Sequence, residues 1–245
     1  LIAFVFWEWK VAKEPILPLT IWTAPSFGLV ILVSFLAIMA IGILIWYINL
    51  YNEVLRNYTI FESAASYATL AVMGVVAAFG SSWAVPRMPA QYILAFGSLS
   101  SCIACILVAT TPAHQIYWAQ IFPALIFTAF GPDLIFTATQ IIASNTVRRD
   151  QQGIAGSLMG TVLSYNLSTG LGFAGTVEVY TNDGGRNVLA GYRYASYLGI
   201  GMSGLAMIIA LLFIRVPKDV REGWDENDTS APSPGEIANN KSEGA

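Results

Sequence analysis

Apolar residues run along this chain in long blocks, and the charged residues fall between the blocks. No Asp, Glu, Lys or Arg occurs between Glu14 and Glu53, between Glu62 and Arg87, or between Arg87 and Asp133. The same holds between Asp150 and Glu178 and between Arg193 and Arg215. A helix needs about 20 apolar residues to cross a hydrocarbon core of about 30 Å, and each gap holds at least one such span. Backbone groups in lipid must pair internally, so a spanning run is a helix or a closed barrel strand. Barrel strands show about ten residues of alternating polarity. Residues 27–48 are apolar on every side, so the pattern predicts helices. Six spans are predicted, over residues 27–50, 64–84, 92–110, 115–143, 153–179 and 194–214. Turn-forming residues sit in the breaks: Pro86 and Pro89, then Pro112, then Asn182-Asp183-Gly184-Gly185.

Composition narrows the class. Of the 245 residues, 56% are hydrophobic and 11% charged, and the mean hydropathy is +0.61. A soluble domain carries about 25% charged residues, so these charges cannot cover a water-facing surface of this size. That excludes an ordinary soluble domain and a disordered chain. Twelve Lys and Arg stand against fifteen acids, so no basic footprint for nucleic acid exists. The expected fold is all-α, a polytopic membrane helix bundle over residues 27–215. Residues 1–6 are apolar but too short to span, and Trp7-Glu8-Trp9-Lys10 follows like an interfacial belt. Residues 1–26 read as the end of a preceding helix plus a cytosolic connector. Residues 216–245 hold seven acids and three bases and read as a disordered acidic tail.

The bases set an expected orientation. With six spans, Lys10, Lys13, Arg87, Arg148, Arg149, Arg215, Lys218 and Arg221 share one side. Arg56, Arg186 and Arg193 share the other. The positive-inside rule places the larger group, and the C-terminus, in the cytosol. Arg87, Arg148 and Arg149 are expected to anchor the inner loops. Asn57-Tyr58-Thr59 is a glycosylation sequon on the outer side.

Few residues offer chemistry. Asp133 follows Gly131-Pro132 near the middle of the fourth span, about 26 Å from its outer end at 1.5 Å per residue. A carboxylate at this depth costs about 2.5–3.5 kcal/mol on insertion scales and usually faces a cavity or a partner. Two roles are open: a proton or substrate pathway, or a structural pairing beside Pro132. Gln140 lies at i+7 and shares its face. Tyr165 and Asn166 fall at mid-depth in the fifth span, as a cavity wall or as interhelical hydrogen-bond partners. Gly156, Gly160, Gly170, Gly172 and Gly175 suit close helix packing, with Gly156-x-x-x-Gly160 the matching pattern. Trp46, Tyr47 and Tyr51 read as interfacial anchors, or as an aromatic wall. Cys102 and Cys105 read as small packing residues, and His114 is the single histidine. No metal, cofactor or catalytic constellation is expected, and no Walker or dinucleotide motif occurs.

The order of these features resembles the C-terminal half of a major facilitator superfamily transporter. It is most similar to the fungal fourteen-span drug:proton antiporters, in the branch of the aminotriazole-resistance proteins. The stretches that carry the resemblance are Gly131-Pro132-Asp133-Leu134-Ile135-Phe136, Gln151-Gln152-Gly153-Ile154-Ala155-Gly156-Ser157-Leu158 and Gly170-Leu171-Gly172-Phe173-Ala174-Gly175-Thr176-Val177-Glu178. Glu14-Pro15-Ile16-Leu17-Pro18 and Ile45-Trp46-Tyr47 also fit. Of the superfamily's inner-loop pattern, Gly80 and Arg87 are present. The resemblance implies twelve or fourteen spans in two pseudo-symmetric halves, with alternating access and a separate N-terminal half as partner. It implies a small-molecule substrate held near the midplane, with protons as coupling ion. Asp133, Gln140, Tyr165 and Asn166 would lie along the pathway. A plasma or vacuolar membrane is the expected site. The second function class open to the residues is a non-transporting membrane scaffold or receptor-like protein.

Overall fold

The computed structural model describes residues 27–146 and 152–214, and the regular structure among them is all helical. The expectations for residues 1–26, for Arg148 and Arg149, and for residues 216–245 lie outside the described residues.

Helix α1 spans Phe27–Leu50 and runs on into a π-helical turn over Tyr51–Leu55. Its 24 residues contain no proline and no charge, so nothing interrupts the ladder. Helix α2, Ile60–Ser66, opens on a capping box. The Thr59 Oγ1 accepts from the Glu62 N–H at 3.3 Å, and the Thr59 N–H donates to Glu62 Oε2 at 2.8 Å. This exchange satisfies two donors that a helix start otherwise leaves open. Helices α3 (Ala68–Ala84), α4 (Ala90–Ala109), α5 (Tyr117–Thr146), α6 (Gln152–Thr181) and α7 (Val188–Leu212) follow. Helix α7 starts earlier than the charge pattern predicts, because the Asn187 side chain accepts the Ala190 N–H at 3.2 Å and caps the helix there. That brings Tyr192 and Arg193 into the helix. The preceding turn has Asp183, Gly184 and Gly185 at positive φ.

Five stretches are long and apolar enough to cross a membrane: 27–55, 60–84, 90–109, 117–142 and 188–212. Helix α6 has 30 residues, or about 45 Å, so it has the length. Its Gly, Ser, Thr and Asn content dilutes its apolar character below the other five.

Successive long helices run antiparallel. At one end, the Tyr117 hydroxyl donates to the Ser66 carbonyl at 2.7 Å and the Tyr51 hydroxyl to the Thr111 carbonyl at 3.3 Å. At the other end, Phe27 packs with Met159. We call these the Tyr51 end and the Phe27 end. Helix α1 is central and packs on α4, α5, α6 and α7, while α3 packs chiefly on α5. Val30, Ile41, Leu94, Ile135 and Ile142 fill the core toward the Phe27 end. Ile43, Tyr47, Val108, Leu125 and Tyr192 fill it toward the Tyr51 end. The α4–α5 crossing is tight: a Cβ on Gly97 would sit 2.8 Å from Ile135 Cγ1 and 3.1 Å from the Gly131 carbonyl oxygen. Helix α3 presents Val72, Val76, Phe79 and Trp83 outward, and α6 presents Tyr165, Phe173 and Val179. These apolar surfaces are suited to lipid or to further helices rather than to water.

Candidate functional site

The centre of α5 is set by Gly131 and Pro132. Pro132 has no N–H for the carbonyl four residues back, so the ladder is interrupted there. Asp133 is the next residue, about 24 Å along a helix of about 45 Å. Gly131, Ile135, Ala138 and Ile142 point into the core. At 100° per residue, Asp133 lies about 200° round from Gly131, on the opposite face. Gln140 shares that face, and both side chains are half-buried. Among the described residues the Asp133 carboxylate forms no hydrogen bond and no ion pair. No described residue therefore pairs with it.

Asn166 on α6 is completely buried, and neither its Nδ2 nor its Oδ1 has a hydrogen-bond partner. It lies on the side of α6 turned to α1, between the contact of Met159 with Phe27 and that of Gly170 with Met39. A buried polar group left without a partner costs about 1–3 kcal/mol. Asn166 does not bond to Asp133 within this bundle. Tyr165 is 67% exposed and points away from its neighbour, one residue and about 100° round the helix. The structure thus separates two residues that the sequence places side by side.

The glycines of α6 divide in the same way. A Cβ on Gly170 would be 2.8 Å from the Met39 carbonyl oxygen and 3.0 Å from its Cα. At Gly156, Gly160, Gly172 and Gly175 a Cβ would meet nothing within 4 Å. Met159, Asn166, Gly170 and Ala174 form the stripe against α1, and helical phase turns Gly172 and Gly175 away from it; Gly156 is in phase with Ala174 but lies nearly a turn beyond the Met159–Phe27 contact. At the Phe27 end, Arg87 is exposed. It donates from Nη1 to the Trp83 carbonyl at 2.8 Å and lies 4.4 Å over the Trp83 ring.

Two of the aromatic residues expected as anchors are turned inward instead. Tyr47 and Tyr51 are 1% and 0% exposed, while Trp46 is 51% exposed. The Tyr47 hydroxyl donates to Glu178 Oε2 at 2.7 Å. The Tyr192 ring stands edge-on to Tyr47, with centroids 5.4 Å apart, and 5.7 Å from Tyr51. Burial of a phenol demands a partner for its hydroxyl, and Glu178 and the Thr111 carbonyl supply them. The four-residue spacing of Tyr47 and Tyr51 on one helical face was the available signal. Ser34 of α1 and Thr139 of α5 also join, with hydroxyls 2.5 Å apart. A groove of about 440 Å³ opens between α1 and α6, lined by Gly42, Ile45, Trp46, Asn49, Tyr67 and Leu171.

Antiparallel apolar helices of this length define an integral multi-pass membrane helix bundle, here with a half-buried carboxylate at mid-helix. Comparison with known proteins shows what the chain is similar to. It is 38% identical over 172 residues to the low affinity ammonium transporter of Saccharomyces cerevisiae, covering 70% of this chain and 33% of that protein. It is 32% identical over 214 residues to the aminotriazole resistance protein of the same yeast, covering 87% and 40%. It is 31% identical over 202 residues to efflux pump terJ of Aspergillus terreus, covering 82% and 39%. The chain is a relative of the MFS-type, or major facilitator superfamily, transporters. It spans about a third to two fifths of the length of these curated relatives. No family model matches it.

Proposed function

We propose that this chain is the C-terminal six-span half of a secondary transporter that exports small solutes or drugs in exchange for protons. The Asp133 carboxylate carries the proposal: it sits at the centre of α5, half-buried and without a partner among the described residues. A carboxylate at mid-membrane is costly unless it faces a cavity or a second group. In a secondary transporter the substrate and coupling-ion sites lie near the midplane, between two repeats. Asp133 accepts the proton there, and Gln140 on the same face offers hydrogen bonds to the substrate. Asn166 adds a donor and an acceptor that this half leaves unused. The similarity to efflux pumps and to an ammonium transporter supports a small-molecule cargo. In this reading α6 is also a span, the fifth in chain order, which brings the total to six. The outward apolar faces of α3 and α6 receive the N-terminal half, and the C-terminus is cytosolic.

The test is Asp133→Asn in the complete protein, reconstituted into vesicles. The variant inserts normally, and flux loses its dependence on pH between about 5 and 8. Wild-type pH dependence in the variant would remove Asp133 from proton coupling.

A further inference from the structure

We propose that Arg56 and Arg193 form an oxyanion-binding site at the Tyr51 end of the bundle, suited to a phosphate or carboxylate group. The π-helical turn Tyr51–Leu55 is the local cause. It ends on Arg56, whose N–H donates to the Tyr51 carbonyl at 3.1 Å. Wide turns of this kind recur at functional sites because they re-aim side chains. Here the turn delivers the guanidinium inward: Nε, Nη1 and Nη2 of Arg56 are all out of solvent and have no hydrogen-bond partner.

Arg193 approaches from the second turn of α7. Its Nη2 donates to the Thr111 carbonyl at 3.4 Å, and its Nε is out of solvent without a partner. The Tyr51 hydroxyl donates to the same carbonyl at 3.3 Å. Tyr51 thus links the two arginines: its carbonyl accepts the Arg56 N–H, and its hydroxyl shares the Thr111 carbonyl with Arg193. Among the described residues neither guanidinium is paired with a carboxylate. Glu178 accepts from Tyr47, and Glu53 accepts from Asn49 at 3.1 Å. Two cations left unneutralised in a protein interior are costly. A planar fork of donors matches carboxylate and phosphate oxygens. An anion arriving at this end of the bundle supplies the missing charge and occupies the unused donors. It can come from a dissolved solute or from the phosphate of a lipid headgroup.

The test uses the complete protein in phosphatidylcholine nanodiscs, with thermal unfolding followed as inorganic phosphate is titrated at constant ionic strength set with chloride. The wild type is stabilised saturably, and Arg56→Gln and Arg193→Gln each weaken the apparent affinity about tenfold or more. Arg56→Lys and Arg193→Lys keep the charge and lose the fork, so they fold and bind phosphate more weakly than the wild type. In a second arm the nanodiscs contain phosphatidic acid. A headgroup occupant stabilises the wild type over the glutamine variants and abolishes the effect of added phosphate. A solute site keeps its phosphate response in both lipids. Equal responses of wild type and variants to both phosphate and phosphatidic acid would overturn the proposal. So would lysine variants that bind phosphate as tightly as the wild type.

Discussion

Replacing Gly170 with alanine puts a methyl group where α6 crosses α1. The new Cβ would stand 2.8 Å from the Met39 carbonyl oxygen, 3.0 Å from its Cα and 3.1 Å from its Cβ. Ordinary non-bonded contact is about 3.5–4.0 Å, and two of the three atoms belong to the backbone of α1. No side-chain rotation relieves the overlap, so the helices must part by about half an ångström. Overpacking of this kind costs about 1–3 kcal/mol. Alanine also returns about 1 kcal/mol of helix propensity, which masks part of the loss. The matched control is Gly204→Ala on α7, where a Cβ meets nothing within 4 Å; it gains the same propensity without the clash. The difference between the two variants isolates the crossing and is expected at about 1–3 kcal/mol. That corresponds to a fall of about 2–12 °C in melting temperature relative to the control. Heat challenge of the solubilised complete protein, followed by recovery of the monodisperse peak on size exclusion, reads it. If Gly170→Ala melts within about 1 °C of Gly204→Ala, the α1–α6 crossing is not the contact described.

Two further outcomes follow from the buried polar groups. Tyr47→Phe strands Glu178 without its donor and lowers stability by about 1.5–3 kcal/mol, read in the same heat challenge. Glu178→Gln keeps an acceptor for Tyr47 and is expected to be milder; the opposite order would refute the role of that hydrogen bond. Asn166→Leu removes two orphaned polar atoms, so it raises the melting temperature of the substrate-free protein while impairing transport. A lower melting temperature would mean that Asn166 has a structural partner in the complete protein.

Much of the architecture was legible in one dimension. Chain stretches free of charge mark the spans, since a bilayer excludes ions and demands internally paired backbone. The pattern ends the first span at Leu50, where α1 passes into the π-helical turn. The charge pattern starts the last span at residue 194, just after Arg193, whereas the Asn187 cap starts the helix at Val188. The site was less legible. Asp133 stood out because an acid in an apolar run is rare. Arg56 and Arg193 looked like loop charges, and Tyr47 and Tyr51 looked like interface anchors. Their burial depends on what packs against them, which composition does not encode.

The sequence by itself determined a multi-pass helix bundle with an acid at mid-span, because run length, charge placement and proline position are local quantities. The tertiary structure alone decided which face of each helix meets a neighbour. That choice made Gly170 the close contact while Gly156, Gly160, Gly172 and Gly175 open outward. It also buried Asn166 unpaired while exposing Tyr165 one residue away. At 100° per residue, adjacent positions face different surroundings, and only the packing of whole helices says which surroundings those are.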